Sequence, residues 1–189
     1  MESDAPESPE NDRIRRFLDG DERAFDALVR AHQDRIYRLV LALLGEPEDA
    51  RDAAQEVFLR AFRGLHGWRY EARLATWLYG VAINVCREAR RRRTSERVKR
   101  KRWALLVAPF LARRGPTVGS GAASRLVDLL PPRQREVVVL RVFQELTIEE
   151  TATVLGIPEG TVKSNFAKAV ASLRARLQER ERTVEAACR

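Results

Sequence analysis

Cysteine and histidine are scarce in this chain of 189 residues, which contains two of each. Cys86, Cys188, His32 and His66 are scattered along the sequence. Their spacing matches neither a zinc site nor a disulfide framework. We therefore expect no metal and no cofactor, and the low cysteine content is typical of a protein kept in a reducing cytoplasm.

Long apolar runs are also lacking, since none approaches the roughly 20 residues that cross a bilayer. The longest, WALLVAPFLA at residues 103–112, contains a proline and precedes two arginines. The N-terminal segment MESDAPESPEND has neither the basic start nor the apolar centre of a signal peptide. We expect no membrane insertion and a disordered acidic tail at residues 1–12.

The alternating pattern of a half-buried strand is absent, and nearly every periodic segment has the helical repeat. Apolar residues recur at steps of three and four between Asp21 and Leu44, where Asp21 is the candidate N-cap and Gly45 the stop. Pro47 suits the first turn of a second helix, and a third helix starts near Arg73. The pattern predicts an all-α protein of two small helical domains joined by a flexible linker.

A stretch rich in glycine, proline and serine marks the division between the two domains. The predicted ranges are a first helical domain at 13–102, a linker at 103–123, a second domain at 124–182 and a tail at 183–189.

The second domain has a helix-turn-helix pattern. Thr147, with Glu150 three residues on, is a capping box; Gly156 ends that helix and Pro158 opens the next. In this next helix the inward positions are Val162, Phe166, Ala169, Leu173 and Leu177. The exposed positions that we expect to contact DNA are Gly160, Thr161, Lys163, Ser164, Ala167 and Lys168.

Small side chains let a helix enter the major groove, which is roughly 12 Å wide, and Thr, Ser and Lys can bond base edges or phosphates. An ordinary helical hairpin with a solvated face would contain similar residues. The tight turn, in a basic chain of two domains, favours DNA binding.

Positive charge is concentrated in one place. Of 35 basic and 27 acidic residues, ten and two lie between Arg87 and Arg102, so the remaining 25 of each sign cancel. The whole net charge of +8 thus belongs to this segment, and attraction to nucleic acid must be centred there. A merely solvated helix end is the alternative.

Aromatic residues precede the basic segment: Trp68, Tyr70, Trp77 and Tyr79 lie within twelve residues. Aromatic faces stack on unpaired bases, with about 1–3 kcal/mol per base, so aromatics beside arginines favour single-stranded or opening DNA. For Trp77 a core position is an alternative, because it shares the apolar stripe of Leu74.

Three stretches together resemble the sigma-70 family of bacterial RNA polymerase sigma factors, in its extracytoplasmic-function group. They are DARDAAQEVFLRAF, TWLYGVAINVCREARRRR and LPPRQREVVVLRVFQELTIEETATVLGIPEGTVKS. They cover most of the chain except the tail and the linker. The resemblance implies a non-catalytic promoter-recognition subunit that works with RNA polymerase core enzyme and promoter DNA, and that an anti-sigma factor commonly holds.

The resemblance also implies roles for individual residues. Asp52, Gln55 and Glu56 match positions that bind the polymerase clamp, although a solvated helix face would otherwise explain them. The loop Gly67–Arg73 matches a segment that captures a flipped base of the downstream, minus-10 element. Residues matching the helix that follows DNA through melting are Asn84, Arg87, Arg90 and Arg91. Helix phase places Thr76, Tyr79, Ile83, Arg87 and Arg90 on its outward face.

By the same resemblance the second domain binds the polymerase flap and the upstream, minus-35 element. We also hypothesise that the apolar segment 103–112 docks on polymerase or on an anti-sigma protein.

Two other functions compete with this interpretation. One is a transcription regulator that binds operator DNA through its helix-turn-helix without polymerase. The other is a DNA-processing enzyme such as a recombinase. The enzyme is disfavoured because the sequence shows neither a nucleophile with an arginine cluster nor a carboxylate set for metal.

Overall fold

The computed structural model describes residues 9–68, 73–107, 127 and 129–187, and every regular element in these ranges is helical. The first domain contains α1 (Pro9–Leu18), α2 (Glu22–Leu44), α3 (Pro47–Gly64), a 3-10 turn (Leu65–Gly67) and α4 (Leu74–Val107). The second contains α5 (Pro132–Val138), a π-helical turn (Val139–Phe143), α6 (Ile148–Leu155) and α7 (Glu159–Ala187). The all-α prediction is confirmed.

Helix ends follow the local signals in the sequence. Asp21 accepts a hydrogen bond from the Arg23 N–H, and Gly45 closes α2 in the left-handed conformation at φ 81°. The Thr147 and Glu150 capping box is complete, and Gly156 closes α6 at φ 62°. Because a positive φ costs glycine little, these two positions terminate their helices cleanly.

Three boundaries differ from the prediction. Helix α1 begins at Pro9, inside the segment expected to be a disordered tail, because Ile14 and Phe17 have a core to bury against and Glu10 contacts His32 at 2.7 Å. Helix α4 continues past residue 102 to Val107, and α7 continues past residue 182 to Ala187. Residues 108–126, which hold most of the predicted linker, lie outside the described residues, as do 1–8.

The first domain is built on α2, which packs against α1, α3 and α4. Its apolar stripe is buried, with Ile36 and Leu39 fully inaccessible, and Val57 of α3 and Ala82 of α4 fill the space opposite. Each buried Ile, Leu or Val among them contributes about 1.5–3 kcal/mol by leaving water. The three long helices therefore form one core that sets the direction of α4.

In the second domain α5 and α6 pack against α7. Val162 and Ala169 of α7 are fully buried, as are Val137 and Leu140. Leu177, predicted to face inward, is 44% exposed because α7 extends beyond the helices that cover its first half.

The two domains touch. Helix α6 packs against α4, and the π-helical turn packs against α2. Through these contacts the second domain lies against α2 and α4 of the first domain.

Thr147→Ala removes one half of the capping box, and we expect it to lower the free energy of unfolding by about 1 kcal/mol, because the Glu150 N–H loses its side-chain acceptor. Chemical denaturation followed by circular dichroism measures the loss. Thr153→Ala in the same helix is the control, since Thr153 is exposed and its hydroxyl donates to the Glu149 carbonyl within the helix. Equal effects of the two changes would contradict the capping role.

Candidate nucleic-acid and polymerase interfaces

The outward face of α7 matches the prediction. Val162 and Ala169 fasten the opposite side of the helix to the domain core. The six residues predicted to contact DNA are all exposed: Gly160, Thr161, Lys163, Ser164, Ala167 and Lys168. Asn165 donates to the Thr161 carbonyl at 2.8 Å, so it is turned along the helix. The result is a rigid helix with a small, cationic outer surface.

Two of the four predicted aromatic residues lie close together at the start of α4. Trp68 and Trp77 are half-buried, their ring centroids 6.4 Å apart. The Trp77 ring lies over Gly64, where a Cβ would come within 3.2 Å of it. Trp77 thus packs against the core of the first domain. Arg73, one turn before it, is exposed. Tyr70 lies outside the described residues.

The four polar positions predicted on α4 divide into two pairs. Asn84 and Arg91 are exposed. Arg90 and Arg87 are half-buried and bonded: Arg90 donates to the Leu43 carbonyl at 2.7 Å, and Arg87 donates to Glu136 of the second domain. Their guanidinium groups are therefore held by the protein itself.

The expected outward face of α4 is largely covered. Thr76, Tyr79 and Ile83, predicted to face outward with Arg87, are buried. This expectation was wrong because helix phase identifies a second face without identifying what covers it. Gly80, on the same stripe, lies beside α6: a Cβ there would be 3.9 Å from the Val154 carbonyl. Burial raises the pKa of Tyr79.

The predicted polymerase-binding residues lie along one side of α3. Asp52 and Gln55 are exposed, and Glu56 is half-buried because it accepts a hydrogen bond from Arg60 at 2.7 Å. Gln55 lines an open apolar groove between α2 and α3, with a volume of about 740 Å³. The apolar residues of this groove are Phe25, Val29, Tyr37, Ala54, Phe58, Leu59 and Phe62.

The groove was not anticipated as a functional surface. Helical spacing places Phe58 and Phe62 on the apolar stripe of α3 with Val57, yet Phe62 is more than one third exposed and Leu59 is 53% exposed. Leu59 lies outside that stripe, which is the signal that the sequence contains. Exposed apolar side chains that lie together mark a site where another molecule binds.

Arg60 joins α3 to α4. Its guanidinium donates to both oxygens of Glu88 on α4, at 2.9 and 2.7 Å, and to Glu56 on its own helix. These carboxylates raise the pKa of Arg60, and Arg60 in turn lowers the pKa of Glu88. The bridge fixes the register of α3 against α4.

Comparison with known proteins places both halves of the chain. Residues 28–96 match the family model for sigma-70 region 2, and residues 120–173 match the model for sigma-70 region 4. The chain is 39% identical over 156 residues to an extracytoplasmic-function RNA polymerase sigma factor, SigM of Mycobacterium tuberculosis, covering 82% of this chain and 77% of the relative. The chain belongs to the extracytoplasmic-function group of the sigma-70 family.

Two solved structures share the fold of this sigma factor. CnrH, solved in complex with the cytosolic domain of CnrY, has a TM-score of 0.69 at 22% identity and covers 91% of this chain and 99% of its own. The sigma factor RpoE of Bartonella quintana, solved with the anti-sigma factor NepR, has a TM-score of 0.59 at 20% identity, covering 82% and 96%.

Neither a membrane-spanning helix nor a metal-binding cluster is found in the described part of this sigma factor. Among its helices, none combines the length and hydropathy of a bilayer-spanning segment. Within the same residues, no three metal-ligating side chains come together.

Glu88→Gln weakens the bridge to Arg60, and we expect it to lower the free energy of unfolding by about 0.5–1 kcal/mol at pH 7, since the pair is partly exposed and screened. The pKa of Glu88 is lowered in the folded state, so its contribution is complete above the unfolded value near 4.5 and is lost as the pH falls through the folded value. Denaturant titrations between pH 7 and pH 3.5 measure the difference.

For that experiment Asp26→Asn, at an exposed carboxylate on α2, is the control and is expected to leave stability nearly unchanged. A difference between the parent protein and Glu88→Gln that stays constant down to pH 3.5 would show that the charge of Glu88 is not what stabilises the bridge.

Proposed function

We propose that this sigma factor binds RNA polymerase core enzyme and directs it to promoters. In this proposal α7 binds the upstream element, α4 with the loop before it binds the downstream element as it opens, and the groove of α2 and α3 binds polymerase. The observation that carries the proposal is that two DNA-compatible surfaces of different chemistry lie on the two domains of a sigma-70 chain.

Helix α7 is the element that contacts duplex DNA in this proposal. Its outer face is exposed and small at Gly160 and Ala167, which allows close approach to bases, and cationic at Lys163 and Lys168, which suits phosphates. Burial of the opposite side fixes its orientation. A rigid element of this kind reads duplex DNA without rearrangement.

In this proposal the first half of α4 and the tryptophan pair contact opening DNA. Asn84 and Arg91 are exposed on α4, and Arg73 is exposed beside the half-buried rings of Trp68 and Trp77. Rings that stack on bases, next to cations that hold phosphates, stabilise a separated strand. The arrangement supports melting of the downstream element.

The groove beside Gln55 is the surface that binds polymerase in this proposal. It combines a wall of aromatic and aliphatic side chains with the exposed Asp52 and Gln55 at its edge. Apolar centres with polar rims are typical of stable protein interfaces. The Arg60 bridge then transmits the position of α3 on polymerase to α4 on DNA.

We also propose an anti-sigma factor as a regulatory partner, because the solved relative RpoE was crystallised with one. A protein that works with core polymerase acts in the cytoplasm, and we place this chain there as part of the same proposal.

The decisive experiment is purification of the full chain with core polymerase, followed by transcription from a promoter library. We expect a stable complex that starts RNA synthesis at a specific set of promoters. A chain that binds operator-like duplex DNA tightly, but neither binds core enzyme nor directs it to a start site, would be a stand-alone regulator instead.

Leu59→Asp places a charge in the groove, and we expect it to weaken binding of core polymerase about tenfold, as removal of a central apolar contact does. Because Leu59 is exposed, folding should be preserved. Ala31→Asp, at an exposed site of α2 away from the groove, is the matched control. Fluorescence titration measures both affinities, and equal weakening would rule out the groove.

Lys168→Ala removes a cation from the outer face of α7. If Lys168 contacts a phosphate, the slope of log affinity against log salt concentration for upstream-element duplex falls by about one. Arg30→Ala, at an exposed position of α2, is the control and should leave the slope unchanged. The measurement is fluorescence anisotropy of the polymerase complex across a salt series; an unchanged slope for Lys168→Ala would place Lys168 off the DNA.

A further inference from the structure

A cavity lies between α4 and α5, where the two domains meet. Its volume is about 870 Å³, and pockets that bind small organic molecules have volumes of about 300–1,000 Å³. One wall is the first turn of α5, and the other is a face of α4 at positions 87, 90, 91, 94 and 95. The rim is open, because Arg91, Thr94 and Ser95 are exposed. A small molecule can therefore enter from solvent.

The lining of this cavity is strongly cationic. Among its described residues, four arginines face one carboxylate. Arg87 donates from Nε and Nη2 to the two oxygens of Glu136, both at 2.9 Å, so this pair is compensated. The described lining thus has three positive charges in excess. Because like charges in one cavity repel, an anion placed between them is stabilised.

Two of the four arginines are held in place by the protein. Arg90 donates to the Leu43 carbonyl at 2.7 Å, and Arg87 is fixed by its ion pair. Side chains that are already ordered lose less conformational entropy when a ligand binds. The other two are at the rim, since Arg91 is exposed on α4 and the Arg133 side chain on α5 is 54% exposed. Arg91 and Arg133 therefore face an entering ligand from opposite walls.

The deepest lining residues are apolar. Leu43 and Cys86 are 2% and 3% exposed. Burial raises the pKa of Cys86 to about 12, so its thiol is neutral at physiological pH and adds apolar surface. Thr94 and Ser95 place hydroxyl groups at the rim. An arginine-rich rim above an apolar floor suits a ligand that has an anionic part and an apolar or flat part.

The number of arginines indicates the class of anion. One carboxylate satisfies one guanidinium here, as Glu136 does for Arg87. A phosphate group has more acceptor oxygens, and the planar fork of arginine bonds two of them at once. Adjacent phosphate groups concentrate several negative charges in a short length, which matches several guanidiniums around one cavity. In a nucleic-acid strand a sugar separates successive phosphates, so the charge is less concentrated.

We propose that the cavity between α4 and α5 binds a small molecule with adjacent phosphate groups, which is a nucleoside polyphosphate or an inorganic polyphosphate. The phosphates lie between Arg91 and Arg133, above Arg90. In a nucleoside polyphosphate the base lies on the apolar floor of Leu43 and Cys86. The inference goes beyond the proposed function, since it requires neither polymerase nor promoter DNA.

The test is isothermal titration calorimetry of the full chain with ATP and with inorganic triphosphate, in buffer without Mg²⁺ so that the phosphates keep their charge. We expect one bound molecule per chain. Arg91→Ala and Arg133→Ala should each weaken binding about tenfold, as loss of one charge-assisted hydrogen bond does. Both side chains are exposed, so folding should be preserved. Arg92→Ala is the matched control, because Arg92 is exposed on α4 outside the cavity lining, and it should leave the affinity nearly unchanged.

The two titrants distinguish the sources of phosphate. Tighter binding of ATP would identify a nucleoside polyphosphate, whereas equal binding would show that the phosphates alone are recognised. A short oligothymidine of similar charge is titrated in parallel. If it binds as tightly as triphosphate, the arginines form a general surface for nucleic-acid phosphates and the proposal is wrong. Absence of binding at millimolar triphosphate and ATP, or equal weakening by Arg92→Ala, would also overturn it.

Hydrogen exchange measures the position of the bound ligand. With saturating triphosphate, exchange should slow on both walls, in α4 around Arg91 and in α5, because the ligand contacts both. Slowing on α4 alone would place the ligand outside the cavity and contradict the proposal. Neither experiment contains polymerase or promoter DNA, so their outcomes are separate from that of the transcription experiment.

Discussion

The structure depends on a single constraint, which is that α4 has to serve several surfaces around one helix. Leu74, Leu78 and Val85 are buried in the core of the first domain. The stripe through Gly80 and Arg87 meets the second domain, and Asn84 and Arg91 meet solvent. Because a helix has one narrow perimeter, each face of α4 can serve only one of these contacts at a time.

Net charge overstates the positive surface that DNA can use. Arg60 and Arg87 are paired with carboxylates through two oxygens each, and Arg93 pairs with Asp49 at 2.6 Å. A bidentate guanidinium pair is directional as well as attractive, so these arginines orient helices. An arginine of this chain that lies within ion-pair distance of a carboxylate fixes the fold. An arginine without such a carboxylate beside it is the kind that can bind a polyanion.

The two DNA-compatible surfaces differ in how much of each is exposed in the structure. The outer face of α7 is complete in this structure, since Gly156 and the capping box of α6 set the turn and buried Val162 sets the helix. A preformed helix can enter the major groove of duplex DNA without rearranging. On α4, by contrast, the exposed residues Asn84 and Arg91 lie beside a stripe that the second domain covers.

The sequence by itself determined the helices other than α1, the caps of α2 and α6 and the exposed face of α7, because periodicity, N-cap residues and left-handed glycines act over a few residues. The three motifs that carry the family resemblance are likewise continuous stretches of sequence. Only the tertiary structure decided that Thr76, Tyr79 and Ile83 are covered, that Arg87 pairs with Glu136 forty-nine positions away, and that Leu59 borders a groove. Helix phase shows that two residues share a face, but burial and pairing depend on which distant segment packs there.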